Sequence, residues 1–426
     1  MMIAILFIAA AIFILIGLPV AVALAGASLL FILIDANLPS MVVLHRMVSG
    51  VDSFPLLAVP FFILAGNLMN SAGITNRIFD FAKSLVGWLP GGLGHVNVGG
   101  SVVFAGMSGA AVADAGGLGA IEIKAMREAG YDSEFSVGIT AASSTIGPII
   151  PPSLPMVIYG VLASASIGKL FAAGLIPGLM MAVALMVMIA WYAKRRNYPV
   201  DSAFSIKRVA SSSKGAFLSL LTPIIVVGGI TTGVLTPTEA AIAAVVWALF
   251  LGSVVYKSLN LKRLAVVSLK SIETTAVVLF VVASASIFAW LLTNYNIATA
   301  MADGLMTISD NKYVVLSIIL LLLLVIGCFM ETIAAMTILV PVLLPAVTQL
   351  GVDPVHFGVI MVLTLMISLL TPPVGVVLYV LSSISKLSFE RCVVATMPFL
   401  VPLVFVLLIV TFMPGLVMWL PNLLYP

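Results

Sequence analysis

The residues able to do chemistry in this chain are hydroxyls and carboxylates set beside breaks in apolar segments, and they occur as two sets. In the first, Ser108 lies in the interruption Gly106-Met107-Ser108-Gly109 with Asp114 after it, and Ser143, Ser144, Thr145, Gly147 and Pro148 lead into Pro151-Pro152. In the second, Glu331, Thr332 and Thr337 follow Gly327, and Ser368 and Thr371 lead into Pro372-Pro373. The sets lie 221 positions apart: the offset pairs Gly106 with Gly327, Gly130 with Gly351, Asp132 with Asp353 and Pro151-Pro152 with Pro372-Pro373, with no gap. Proline cannot donate to a helix ladder, so carbonyls ahead of each break are left free. Hydroxyls and such carbonyls are hard oxygen ligands that suit sodium, while helix N-termini favour carboxylates. Paired, interrupted apolar segments in two halves of a chain point to a transporter's binding site. Ser108, Asp114, Ser143, Glu331 and Thr332 are the candidates for an anionic substrate. Ser144, Thr145, Gly147, Pro148, Gly327, Thr337, Ser368 and Thr371 are the candidates for Na+.

Packing competes with ligation at each of these positions. Small residues and Ser/Thr also mediate helix contacts in lipid, and the Gly/Ala-rich run from Ala110 to Gly119 suits that role. The recurrence of breaks with hydroxyls beside them favours ligation for the constellation as a whole. Asp114 and Glu331 stand out singly, because carboxylates at membrane depth are expensive and usually functional. Glu239 follows Thr236-Pro237-Thr238 and reads as a helix N-terminal residue. His45, His95 and His356 are scattered without metal spacing, which makes them structural or surface residues. Gly106-Met107-Ser108-Gly109 also matches the G-x-S-G pattern of rhomboid intramembrane serine proteases. The base would have to be His356, in an expected external turn, and the matching Gly327-Cys328-Phe329-Met330 lacks the serine. Nothing resembles a channel's selectivity filter or ring of charge, and no G-x-x-x-x-G-K-[ST] loop offers ATP binding.

The elements that must position these residues follow from composition. The chain has 426 residues, 62% hydrophobic and 8% charged, where a soluble globule is about a quarter charged. Apolar runs long enough to span a bilayer recur throughout, so the fold class is an all-α polytopic membrane protein, not a porin-like barrel. The net charge of +3 comes from basic residues clustered in loops, and no stretch resembles a nucleic-acid surface. Cys328 and Cys392 lie in apolar segments, suggesting neither a disulfide framework nor a metal site. The N-terminus lacks a positive n-region and a cleavage site and reads as a retained membrane helix.

Residues 1–92 read as N-terminal scaffold helices, with a run from Met2 to Ile34 kinked at Gly17-Leu18-Pro19 and segments near Phe54–Met69 and Ile74–Leu89. Residues 93–165 hold a re-entrant hairpin with its tip near Ser108 and a proline-broken helix. Residues 166–310 are scaffold and connecting helices, including Ile297–Ile308, with a basic loop at 194–214. That loop is cytoplasmic by the positive-inside rule, and Lys257, Lys262, Arg263 and Lys270 mark the same side. Residues 311–385 repeat the hairpin and broken helix, and 386–426 form a C-terminal helix over about Val393–Leu420. Counting spans from the basic loop places the 121–134 turn inside and the 342–355 turn outside, so the two repeats have inverted topology.

GMSGAAVADAGGLGAIEIKAMREAGYDSEFSVGITAASSTIGPIIPPS, with METIAAMTILVPVLLP and SLLTPPVGVVLYV in the second half, resembles the large membrane (M) subunit of TRAP (tripartite ATP-independent periplasmic) transporters over essentially the whole chain. The resemblance implies a sodium-driven importer of the bacterial inner membrane, working by an elevator movement of a transport domain against a scaffold. It implies two partners besides the lipid bilayer: a small four-helix membrane subunit, here a separate polypeptide, and a periplasmic substrate-binding protein. It carries Ser108, Asp114, Ser144, Thr145, Gly147, Glu331, Thr332 and Thr371 over as site candidates and Na+ as the co-transported ion. It implies small organic acids as substrates, notably sialic acid and C4-dicarboxylates. No basic residue lies inside the repeat cores to grip a carboxylate. A stand-alone sodium/dicarboxylate symporter of similar inverted-hairpin design is the neighbouring reading, distinguished by needing no binding protein.

Overall fold

Several apolar segments start their helices on a short oxygen-bearing side chain. The chain is described by a computed structural model covering residues 2–35, 38–201, 203–296, 304, 307, 309 and 311–425, with the side chains of 2–4 and 106–108 left aside. Ser153, Ser166, Ser205, Asn260, Asp353 and Ser388 each accept a hydrogen bond from a backbone N–H two or three residues on, which closes a first helical turn. Thr236 and Glu239 form a reciprocal capping box, the helix-start role expected of Glu239.

The first half runs α1 (Met2–Leu15), α2 (Val20–Asp35), α3 (Met41–Val51), α4 (Ala58–Ser71), α5 (Ile74–Val86), α6 (Gly92–Ser108), α7 (Ala111–Glu128), α8 (Ser133–Ser144), α9 (Leu154–Leu162) and α10 (Ile167–Arg196). After it come α11 (Ile206–Thr231), α12 (Pro237–Phe250) and α13 (Leu261–Asn294). Then follow α14 (Lys312–Gly327), α15 (Thr332–Gln349), α16 (Pro354–Ser368), α17 (Val376–Ser385), α18 (Phe389–Phe412) and α19 (Pro414–Leu424). Among the described residues, seven helices are long and apolar enough to cross a membrane.

Several boundaries differ from the sequence reading. The run Met2–Ile34 is two helices, because Gly17 turns left-handed at φ +91° and Pro19 follows. The basic loop expected at 194–214 narrows to 197–205. Lys194, Arg195 and Arg196 ride the last turn of α10, where the helix dipole favours cations, and Lys207, Arg208 and Lys214 belong to α11. The C-terminal helix breaks at Met413, ahead of Pro414. His356 stands buried inside the first turns of α16, not in an external turn, and its Nε2 lies 2.8 Å from the Val410 carbonyl. The segment Ile297–Ile308 falls, but for residues 304 and 307, outside the described residues.

The 221-residue offset carries over to the elements. It maps α7 onto α15 residue for residue, starts α16 where α8 starts, and starts α17 and α18 one residue after the positions matching the starts of α9 and α10. Their contacts are exchanged between halves: α8 packs on α18 and α16 on α10, while α17 lies on α7 and α9 on α15. The joints are close. At Gly138 a Cβ would stand 2.2 Å from the Ala395 carbonyl oxygen, Tyr159 donates to the Pro354 carbonyl at 2.6 Å, and Arg127 donates to the Ser385 carbonyl at 2.7 Å. The halves therefore share one core. The helices α2, α3 and α4 gather on α13, with α12 on α4 and α11 on α5. Thr238 in the first turn of α12 and Ser258 beyond its end donate to the carbonyls of Phe54, ahead of α4, and Ala72, just after it, which fixes the pair.

Candidate functional site

Each hairpin folds its tip onto the break of its own half. In the first half α6 and α7 meet at Gly109, left-handed at φ +58°, where a Cβ would stand 2.7 Å from the Pro152 carbonyl oxygen. Beneath it, residues 143–153 are all buried. Ser144 Oγ donates to the Ala141 carbonyl at 2.8 Å and Thr145 Oγ1 to the Ala142 carbonyl at 2.6 Å, so each hydroxyl keeps lone pairs for a cation. Pro148, Pro151 and Pro152 remove the N–H groups that would meet the carbonyls of Ser144, Gly147 and Pro148. The Pro148 carbonyl instead accepts from Ser153 Oγ, which also caps α9. Ser143, assigned to substrate, donates to Asn97 Oδ1 at 2.6 Å and is fully buried. Thus it braces α8 on α6. The Ser108 side chain lies outside the described residues.

In the second half Gly327 closes α14 against Ser368, whose Oγ would lie 2.2 Å from a Cβ at 327. Cys328 Sγ lies 2.8 Å from Thr371 Oγ1, Thr371 Oγ1 donates to the Ser368 carbonyl at 2.8 Å, and the Val374 N–H donates to the Cys328 carbonyl at 3.2 Å. Thr337 Oγ1 donates to the Ala334 carbonyl at 2.9 Å, whereas the buried Thr332 Oγ1 has no partner among the described residues. Glu331 Oε2 accepts from the N–H groups of Ile333 and Ala334, so this carboxylate serves as the cap of α15. The two breaks differ in cover. Break 1 lies under α10, whereas Pro372 and Pro373 are exposed.

Asp114 stands in the first turn of α7 but is buried, and Glu122, two turns on, is buried with it. Asp114 Oδ2 and Glu122 Oε1 have no hydrogen-bond partner among the described residues. Glu122 fits only because Gly100 of α6 faces it, where a Cβ would stand 2.9 Å from Oε1. Sequence reasoning passed over Glu122 and Asn97. A carboxylate within the apolar run of a hairpin helix was the available signal for Glu122. Asn97 gave none before its bonds to Thr140 and Ser143 were seen. On the other side of α7 is a cavity of about 440 Å³ between the hairpin tip and the α4–α13 pair.

Residues 7–416 match the family described as tripartite ATP-independent periplasmic transporter, DctM component. The chain is 49% identical over 407 residues to the sialic acid TRAP transporter large permease protein SiaM of Vibrio cholerae, spanning 96% of this chain and 95% of that one. It is 43% identical over 411 residues to the sialic acid TRAP transporter permease protein SiaT of Haemophilus influenzae, spanning 96% of this chain and 67% of that one. It is 37% identical over 371 residues to the C4-dicarboxylate TRAP transporter large permease protein DctM of Pseudomonas aeruginosa, spanning 87% of each. Its fold is similar to that of the Alcanivorax borkumensis YdaH transporter, with a TM-score of 0.64 at 13% identity over 87% of each chain.

Proposed function

The chain belongs to the tripartite ATP-independent periplasmic transporter family as its large membrane subunit, and on that premise we propose that it imports a small organic acid anion, coupled to sodium, across the bacterial inner membrane. It is a multi-pass membrane transporter and not an enzyme. Sialic acid is the first candidate substrate and C4-dicarboxylates the second, after the relatives' own names. A periplasmic binding protein delivers the acid, and a small four-helix subunit accompanies this chain in the membrane.

One observation carries the reading: two hairpin tips, 221 positions apart, each docked on a proline break with hydroxyls beside it. Sodium sits at the breaks, held by backbone carbonyls with Ser144 and Thr145 in one half and Ser368 and Thr371 in the other. The cation's charge offsets that of the acid, which lets both cross together. Inverted topology of the halves makes the two sites equivalent from either side of the membrane. The shared core formed by α6–α10 and α14–α19, wider than the transport halves 93–165 and 311–385 expected from the sequence because α10, α18 and α19 pack with it, moves as an elevator against α1–α5 and α11–α13.

The test is uptake of labelled acids into proteoliposomes holding this chain and its small partner, with an inward sodium gradient, with and without the binding protein. Uptake that needs both sodium and the binding protein is expected, and Ser144→Ala and Thr371→Ala should each raise the sodium concentration for half-maximal rate. Uptake indifferent to sodium would overturn the coupling. Uptake that persists without the binding protein would make this a stand-alone symporter.

A further inference from the structure

The cavity beside α7 has the chemistry of an anion site. Its scaffold wall carries Asn67 and Asn70 of α4 and Lys270 of α13; its other wall is the opening stretch of hairpin helix from Ala110 to Gly117. Leu154, the first helical residue after break 1, also lines it. Lys270 is the one charged residue among those that line it. Asn70 accepts from Thr75 through Oδ1 at 3.0 Å, which turns its Nδ2 toward Gly117, where a Cβ would stand 3.4 Å away. Asn67 is held in place by donating to Ser271 at 3.0 Å. A cation and an amide donor thus face a wall kept bare at Gly117.

The second hairpin shows what such a place accepts. At the start of α15 the carboxylate of Glu331 takes the N–H groups of Ile333 and Ala334. The 221 offset puts Ala110 in that position at the start of α7, where no side chain caps the helix and Ala110 borders the cavity. Hairpin 2 carries its own carboxylate; hairpin 1 leaves the equivalent place open beside a lysine.

We propose that this cavity holds the carboxylate of the transported acid on the cytoplasmic side of the cycle, with Lys270 as counter-ion, Asn70 as donor and the start of α7 as third contact. This rests on the reading of the chain as an organic-acid importer. Because Lys270 belongs to the α4–α13 pair and Ala110 to the hairpin, the acid is held between two groups of helices and is freed when they part. Lys270 meets solvent as well as the cavity, so its charge is met and released without a large desolvation cost. The nearest acid along α13, Glu273, is itself exposed.

The experiment uses the complete transporter in proteoliposomes, with the binding protein outside only and sialic acid, then a C4-dicarboxylate, as probes. Two quantities are read: the external half-saturation for labelled acid, and the concentration of unlabelled acid inside that halves uptake. Lys270→Met should raise the inside value at least tenfold, ~1.4 kcal/mol, and leave the outside value at that of wild type. Lys270→Arg should keep both. Equal inside values for Lys270→Met and wild type would overturn the assignment. So would a common shift of both values accompanied by a lower unfolding temperature, which marks a structural role. If wild type itself takes up no acid, the importer reading falls, and this proposal with it.

Discussion

At Gly327 a single methyl group tests how the second hairpin meets its break. A Cβ there would stand 2.2 Å from Ser368 Oγ and 2.6 Å from Ser368 Cβ, so neither a hydroxyl rotation nor its removal makes room. Gly327→Ala should therefore cost about 1–3 kcal/mol, the usual penalty for overpacking a closed contact. Gly327→Ala with Ser368→Gly should recover most of it. The measurement is thermal unfolding of the purified complex without sodium, where ligand binding contributes nothing; equal costs for single and double variants would show that the strain lies elsewhere. The glycine was legible in the sequence as the partner of Gly106, but its reason was not. Ser368 is 41 positions away, and only the fold puts the two side by side. The same holds for Glu122 and Gly100. Glu331 and Thr371 were legible as polar residues at breaks, yet whether an oxygen caps a helix or faces an ion depends on neighbours that residue types do not specify.

Among the elements, α10 governs the first break. Gly174 brings it so near that a Cβ would stand 2.3 Å from the Ile149 carbonyl oxygen, and Gly178 receives the Ile150 side chain, the close approach that small residues permit in lipid. Gly174→Ala should push α10 off the break, displace its carbonyls and raise the sodium requirement of uptake about tenfold, ~1.4 kcal/mol. Gly215→Ala, on α11 with open space around it, should change nothing. An unaltered sodium requirement in Gly174→Ala would mean that break 1 does not hold the ion. At its far end α10 grips the α7–α8 turn: Asp132 Oδ2 accepts from Arg196 at 2.6 Å and from Tyr198 at 2.5 Å. The Tyr198 hydroxyl, then the Arg196 guanidinium, holds the Asp132 carboxyl below its ordinary value. A lowered carboxylate stabilises the fold above its unfolded pKa of about 3.9 and loses that stability as acid protonates it in the folded state. Asp132→Asn should cost about 1 kcal/mol or less near neutral pH, since the pair is half exposed. The gap to wild type should close on acidification below about pH 4 in unfolding-temperature scans. The breaks themselves were legible because proline and glycine punctuate a helix whatever surrounds them. The expected loop at 194–214 was too long at its start because Lys194, Arg195 and Arg196 suit the last turn of α10.

For the whole molecule the decisive question is whether the core slides past the scaffold or opens in place. The exchanged contacts of α8 with α18 and α16 with α10 bind the repeats into one body, which meets the α4–α13 pair through α13 on α15 and α4 on α6 and leaves the cavity that includes Asn70 and Gly117 beside α7. The repeat that produces this body was legible, since one offset aligned motifs throughout both halves. The interleaving was not, because helix-to-helix partners across 200 residues leave no mark in local pattern. Sliding predicts that a link across the cavity stops transport. With Cys328→Ser and Cys392→Ala in the background, Asn70→Cys and Gly117→Cys should be joined through two disulfides by a short bis-methanethiosulfonate, as the ideal Gly117 Cβ lies 3.7 Å from the Asn70 Cγ. Uptake should fall to background on cross-linking and return on reduction, while each single-cysteine variant treated with the same reagent loses only part of its own untreated rate, because Asn70 and Gly117 border the proposed acid site. Transport that continues with the link intact would mean that hairpin 1 and α4 stay together throughout the cycle. The moving part would then be smaller than the shared core, confined to the hairpin tips and their breaks.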